Sequence, residues 1–206
     1  MNNQAEIIYA LDLLGTVAFA ASGALAGVRR RMDLLGVVVL GIVTATGGGV
    51  MRDVLLNDTP PFCFKNEVYL YLAVISSIVV FVTPRRFERM NRAMLLLDAL
   101  GLGTFLVIGT SKALAFHLGL MGSIIMGVMT ATCGGLVRDL LSNQIPLILQ
   151  REIYASACVV GGALFYFLHQ TQVSSAVTLT VSALTVIAIR CTAILKGWQL
   201  PRGKAL

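Results

Sequence analysis

The sequence predicts an all-α membrane protein: seven transmembrane helices, arranged as an inverted repeat of two three-helix units plus a seventh helix. Three observations predict it. Hydrophobic residues fill 57% of the 206 positions and charged residues only 13%, with mean hydropathy +0.84, far from a soluble domain. Apolar runs alternate with short charged breaks at the ~20-residue spacing that a bilayer demands. A 14-residue block also occurs twice, 86 positions apart, with nine identities.

The first span, 7–28, follows an N-terminus (Met1 to Glu6) without Lys or Arg. It reads as retained, because a signal peptide opens on basic residues. The remaining spans are 34–57, 67–83, 93–114, 119–143, 152–169 and 174–196. Basic breaks follow the first span (Arg29, Arg30, Arg31), the third (Arg85, Arg86, Arg89, Arg92) and the seventh (Lys196, Arg202, Lys204). After the second span, Lys65 is offset by Asp58 and Glu67, and no Lys or Arg follows the sixth. The positive-inside rule then puts the N-terminus outside and the C-terminus in the cytoplasm. That needs an odd number of spans, which seven satisfies. Lys112 falls at the outer rim of the fourth span, free to snorkel, and Arg190 snorkels inward from the seventh. Trp198 with Lys196 fits an interfacial anchor. The chain reads as a single transmembrane domain over 1–206.

The doubled block sets the architecture. Thr44-Ala45-Thr46-Gly47-Gly48-Gly49-Val50-Met51-Arg52-Asp53 matches Thr130-Ala131-Thr132-Cys133-Gly134-Gly135-Leu136-Val137-Arg138-Asp139. Asp12 aligns with Asp98, Phe19 with Phe105, Gly41 with Gly127 and Pro60 with Pro146 at the same offset. One unit is therefore 7–83 and the other 93–169, with 174–196 added. Three spans is an odd number, so the second unit enters the membrane upside down.

Glycine runs weaken helices by about 1 kcal/mol per residue relative to Ala. The second and fifth spans are expected to kink or break at Gly47, Gly48, Gly49 and at Cys133, Gly134, Gly135, beside Thr44 and Thr130. The freed carbonyls of 46–49 and 132–135 would then offer oxygens to a cation. Single glycines such as Gly23, Gly27, Gly161 and Gly162 read as packing positions. An Arg at membrane depth costs about 2.5–3.5 kcal/mol on insertion scales, so Arg52 and Arg138 need partners. Depth along the spans selects two ion pairs, Asp12–Arg52 and Asp98–Arg138. Asp53 and Asp139, ~100° round the helix, face a pore or cap a neighbouring helix.

Other classes lack support. The net charge of +6 comes from residues that flank spans, which argues against nucleic acid. There is no Walker loop, no HExxH, no Ser/His/Asp set and no metal-spaced Cys or His cluster, so neither an enzyme nor a cofactor is indicated. The four cysteines show no CxxC spacing.

At the doubled Gly-Gly-x-x-Arg-Asp motif the chain resembles the prokaryotic trimeric intracellular cation (TRIC) channel family, small bacterial inner-membrane proteins also called glycine-transporter-domain proteins. The resemblance spans nearly the whole chain. It departs at Cys133, where Gly is expected, which implies a stiffer hinge in the fifth span. The resemblance implies a homotrimer in the inner membrane, each protomer with its own pore between the second and fifth spans, passing K⁺ and Na⁺ among membrane lipids. Two other readings stay open. One is a secondary transporter for a small amino acid such as glycine, since broken helices and inverted repeats serve carriers too. The other is a dry scaffold with tightly packed glycines.

Overall fold

The computed structural model describes residues 3–83, 92–150, 153–171 and 173–198. These residues hold nine helices: α1 (Asn3–Arg29), α2 (Leu34–Leu55), α3 (Phe62–Lys65), α4 (Val68–Val82), α5 (Ala93–Ala115), α6 (Leu120–Leu141), α7 (Leu147–Gln150), α8 (Ala155–Gln170) and α9 (Ser175–Lys196). Five of them, α1, α2, α5, α6 and α9, are long and apolar enough to cross a membrane. The apolar helices α4 and α8 have only 15 and 16 residues. At ~1.5 Å per residue they fall short of a ~30 Å hydrocarbon core. The chain instead turns through the one-turn helices α3 and α7 ahead of each, which the hydropathy pattern does not reveal. Arg85, Arg86, Arg89, Arg202 and Lys204 lie outside the described residues, as does the expected start of a span at 152.

Local chemistry fixes the helix ends. The Asp33 carboxylate caps α2 by accepting a hydrogen bond from the Gly36 amide at 2.7 Å, satisfying an otherwise orphan N–H. Among the described residues, four that are not glycine adopt left-handed backbone after helices: Arg31 (φ 56), Asn57 (φ 54), His117 (φ 60) and Asn143 (φ 52). A left-handed residue closes a helix end, and Asn and His tolerate that conformation better than most. These residues form two pairs, each 86 positions apart. The repeated sequence thus stops its helices by the same device.

Small residues set the packing. Phe19 of α1 meets Phe105 of α5 with ring centroids 5.0 Å apart. Each ring sits against the partner helix's glycine, Phe19 on Gly101 and Phe105 on Gly15. A Cβ at Gly101 would come 2.0 Å from the Phe19 ring. Gly23 packs on Thr44, and Gly109 on Thr130; an added Cβ would lie 2.4 and 2.5 Å from the two hydroxyls. Helices in lipid associate through such close approach rather than through apolar transfer. The last helix, α9, packs on α5 at Gly103 and on α8 at Gly161. Arg92 ties the start of α5 to the end of α9, donating to the Leu195 carbonyl at 3.2 Å.

Arg190 corrects the snorkelling expectation. It is buried, 1% exposed. Its guanidinium lies 4.8 Å from the centre of the Tyr154 ring, and Nη1 donates to the Ile153 carbonyl at 3.1 Å. An aromatic face and a backbone carbonyl take the place of interfacial water. Trp198 stays exposed, with the Lys196 ammonium 5.1 Å from its ring.

Candidate functional site

The glycine runs lie where α2 crosses α6. Neither run interrupts its helix: both helices continue without a break through 44–49 and 130–135. The expected break is therefore absent, and the carbonyls of 46–49 and 132–135 stay inside helical stretches. Close approach is what these glycines provide in this structure. A Cβ on Gly48 would come 2.0 Å from the Thr130 carbonyl oxygen, and one on Gly134 would come 2.1 Å from the Thr44 carbonyl oxygen. The two contacts are reciprocal, each residue touching the repeat-mate of the other's partner, as in a self-complementary interface.

The third glycine of each run makes room for the next element. A Cβ on Gly49 would meet the Phe62 ring at 2.3 Å, and one on Gly135 would meet the Tyr154 hydroxyl at 2.8 Å. The first position is different. Gly47 has only the Gly134 Cα near a built Cβ, at 3.7 Å, and both Gly47 and Cys133 are half-buried. A side chain fits there, which explains why the second copy carries Cys. Thr44 and Thr130 are fully buried and hydrogen-bond back to the carbonyls of Leu40 and Met126, at 2.6 and 2.7 Å.

Below the glycines each helix carries its Arg-Asp pair into the interior. Arg138 is 0% exposed. Its Nε donates to Asp139 Oδ1 at 2.8 Å, and its Nη1 to Asp98 Oδ1 at 2.5 Å and Ser22 Oγ at 2.7 Å. The expected pair Asp98–Arg138 is thus present. The expected pair Asp12–Arg52 is not. Asp12 accepts from the Tyr69 hydroxyl at 3.0 Å, while Arg52 Nε donates to Asp53 at 2.8 Å and its guanidinium lies 5.5 Å from the Phe62 ring centre. Tyr69 satisfies the carboxylate, and the adjacent Asp53 satisfies the arginine.

Asp53 and Asp139 each do two things. One oxygen holds the neighbouring arginine. The other accepts the first amide of the following short helix, Phe62 N for Asp53 and Leu147 N for Asp139, both at 2.8 Å. The carboxylates cap α3 and α7, satisfying orphan amides and complementing the positive helix end. This explains why Asp follows Arg in both copies.

Lys112 does not snorkel. Its ammonium reaches Asp53 Oδ1 at 2.6 Å and Asp58 Oδ2 at 2.5 Å, and Lys65 also contacts Asp58. The hydrogen bonds from Lys112 and Lys65 hold the Asp58 carboxyl down to about 2. The repeat has no second copy of this cluster: Ala26 stands in register with Lys112, and Gln144 with Asp58.

A fixed offset of 86 misses two residues of this region, Tyr69 and Tyr154, which are 85 apart. Pro60-Pro61 in the first unit faces the single Pro146 in the second, so the register slips by one there. Beyond the slip, Phe62 matches Leu147 and Tyr69 matches Tyr154. Both tyrosines are buried, Tyr69 on Asp12 and Tyr154 beside Asp98. Realigning the repeat after its prolines finds them.

Known proteins share this fold. Residues 9–85 and 95–170 match the family model described as Glycine transporter, once per half of the chain. Over 197 residues the chain is 40% identical to the UPF0126 inner membrane protein YadS of Escherichia coli K12, covering 95% of each. It superposes on the TRIC orthologue from Rhodobacter sphaeroides with a TM-score of 0.89 at 35% identity, covering 93% of this chain and 99% of that one. A structure solved to explain conductance through TRIC cation channels gives 0.87 at 40% identity, over 95% and 97% of the two chains. The chain is therefore a multi-pass membrane protein of the glycine-transporter family, which includes the prokaryotic TRIC channels.

Proposed function

We propose that the protein is a passive monovalent-cation channel of the bacterial inner membrane, a homotrimer with one path for K⁺ and Na⁺ inside each protomer, along the α2–α6 crossing. One observation carries the reading. A chain of membrane-crossing helices buries two charge clusters, Arg52 with Asp53 and Arg138 with Asp98 and Asp139, on either side of one reciprocal glycine crossing. Charges at membrane depth mark ion pathways more often than they serve packing. The likeness to TRIC cation channels agrees with it, and those neighbours are channels rather than enzymes.

On this reading the chain is one transmembrane domain of seven spans, with α3 and α4 together making the third and α7 and α8 together the sixth. Units 7–83 and 93–169 run in opposite directions, with the N-terminus outside and the C-terminus in the cytoplasm. Contacts at the helix ends support the inversion. The end of α5 meets the end of α2 through Lys112 and Asp53, and the end of α1 meets the end of α6 through Arg30 and the Asn143 carbonyl. The crossing, with backbone packed on backbone, is the closed state. Conduction requires α2 and α6 to separate at Gly48 and Gly134. Thr44, Thr130, Gly47, Cys133 and the carbonyls of 46–49 and 132–135 then line the opening, with Gly49 and Gly135 leading to the carboxylates. Helical carbonyls keep a second lone pair for a passing ion.

Single-channel recording of purified protein in planar bilayers tests this. In a gradient of KCl alone, unitary steps that reverse near the K⁺ equilibrium potential are expected. A second reading, a carrier for a small amino acid, is favoured by the description of the matching family model. Gradient-driven uptake of labelled glycine without unitary currents would replace the channel by that carrier.

A further inference from the structure

Among the described residues seven charged side chains are buried: Asp12, Arg52, Asp53, Asp98, Arg138, Asp139 and Arg190. Six of them form three pairs at the 86-residue offset, and they belong to the region beside the crossing. Arg190 does not. It lies on α9, outside both repeated units, so nothing in the first half corresponds to it. An ionisable side chain buried in a membrane-crossing helix marks a working position by default.

Arg190 grips the junction that leads into α8 at two points. Its guanidinium lies over the Tyr154 ring, 4.8 Å from the centre, and its Nη1 donates to the Ile153 carbonyl at 3.1 Å. Both the ring and the backbone beside it are fixed, out of water, where a cation on an aromatic face is held most firmly. The start of the same connector is held by Asp139 at the Leu147 amide.

Tyr154 carries the contact on to the crossing. Its hydroxyl, Asp98 Oδ1 and Arg138 Nη2 converge on the space that Gly135 leaves open; a Cβ there would lie 2.8, 3.3 and 3.4 Å from them. The tyrosine therefore has Arg190 on its face and the Asp98–Arg138 pair at its tip. Tyr69, its counterpart, is held differently. Its ring packs edge-on with Phe62 and Tyr9, at centroid distances of 4.7 and 6.3 Å. Leu147 and Leu95 stand in register with those two rings. In the second half a cation from α9 does what aromatic packing does in the first.

We propose that Arg190 is a positioning residue for the crossing: from α9 it fixes Tyr154, Tyr154 fixes the Asp98–Arg138 pair, and α9 thereby sets how readily α6 parts from α2. This rests on the opening of the crossing proposed above.

Cys133 supplies the readout. It sits half-buried in the α6 glycine run, whereas Cys63 and Cys158 are buried, and Cys191→Ser removes the other half-buried thiol. The rate at which methanethiosulfonate ethylammonium modifies Cys133, in the full chain in detergent, follows the population of the parted state. Arg190→Gln and Tyr154→Phe should each raise that rate about tenfold, the scale of one buried cation–π or polar contact to a charged group. The double variant should do no more than either alone, because both cut the same chain of contacts. Arg190→Lys, with a cation still over the ring, should return the rate towards wild type. Arg190→Gln combined with Tyr69→Phe should multiply, as independent changes do. A double variant of Arg190 and Tyr154 at about a hundredfold would overturn the coupling, since a merely structural Arg190 adds its effect whatever stands at 154. An unchanged rate in Tyr154→Phe, which keeps the ring packed, would overturn it even where Arg190→Gln does not fold. The rate involves no ion flux. Unitary currents recorded on the same proteins answer separately: their absence would overturn the channel reading and leave the coupling standing.

Discussion

Gly48 of α2 meets the carbonyl oxygen of Thr130 in α6 so closely that a Cβ would sit 2.0 Å from it. The obstacle is backbone, which cannot rotate away. Gly48→Ala should therefore force the helices apart at a cost of about 1–3 kcal/mol, the usual range for overpacking. Gly47→Ala, one position away with only ordinary contact at 3.7 Å, should be near neutral. Tm in detergent separates the two, and recordings in bilayers should show a changed open probability for Gly48→Ala alone. Equal behaviour of the two variants would mean that the crossing is not tight in the membrane.

Removing Arg138 leaves Asp98 and Asp139 facing each other without a cation. Arg138→Met should cost about 3–5 kcal/mol, the range for breaking a buried pair from one side. Arg52→Met should cost clearly less, because Lys112 remains 2.6 Å from Asp53. Expression yield and Tm of the two variants give the order. The reverse order would contradict the described pairing.

Lys112 neutralises Asp53 and Asp58 together. Lys112→Gln should free negative charge at that end of α5 and raise unitary K⁺ conductance, most visibly at low ionic strength where screening is weak. The ratio of mutant to wild-type conductance should fall towards one in high salt. A ratio independent of salt would exclude an electrostatic role.

Asp58 gives a pH signature. Its carboxyl is held from an ordinary 3.8 down to about 2, chiefly by hydrogen bonds from Lys112 and then from Lys65. A depressed carboxylate contributes stability above its unfolded value and loses it as pH falls through its folded value. Wild type and Asp58→Asn should therefore differ by a constant amount from pH 7 to pH 5. The gap should shrink from about pH 4 and close near pH 2. A gap that varies between pH 5 and pH 7 would assign the effect to another group.

Much of this was legible in the residues. Helix positions followed from hydropathy, depth along the spans placed Asp98 against Arg138, and the family resemblance implied that the second and fifth spans meet. What stayed hidden has physical causes. Propensity says that Gly47 to Gly49 weaken a helix, and it says nothing of whether a partner backbone will fill the gap they leave; here Thr130 does. Depth arithmetic brought Asp12 near Arg52 and could not see Tyr69, because the repeat slips one residue at Pro60-Pro61. Capping by Asp53 and Asp139 was one of the two readings open from the sequence, but the helices they cap, α3 and α7, are single turns too short for any periodicity. Lys112 looked peripheral by hydropathy alone, since nothing in the chain marks Asp58 as its partner.

Lys112 faces two carboxylates at one end of the molecule, while Ala26 holds the matching place at the other. If ions pass along the α2–α6 crossing as proposed, a charge cluster at one end alone makes the two directions electrically inequivalent. On the proposed reading, cations passing the α5 end meet a cluster of paired charges that has no counterpart at the other end. Rectification would then be built into the chain by a place where the duplicated halves ceased to match.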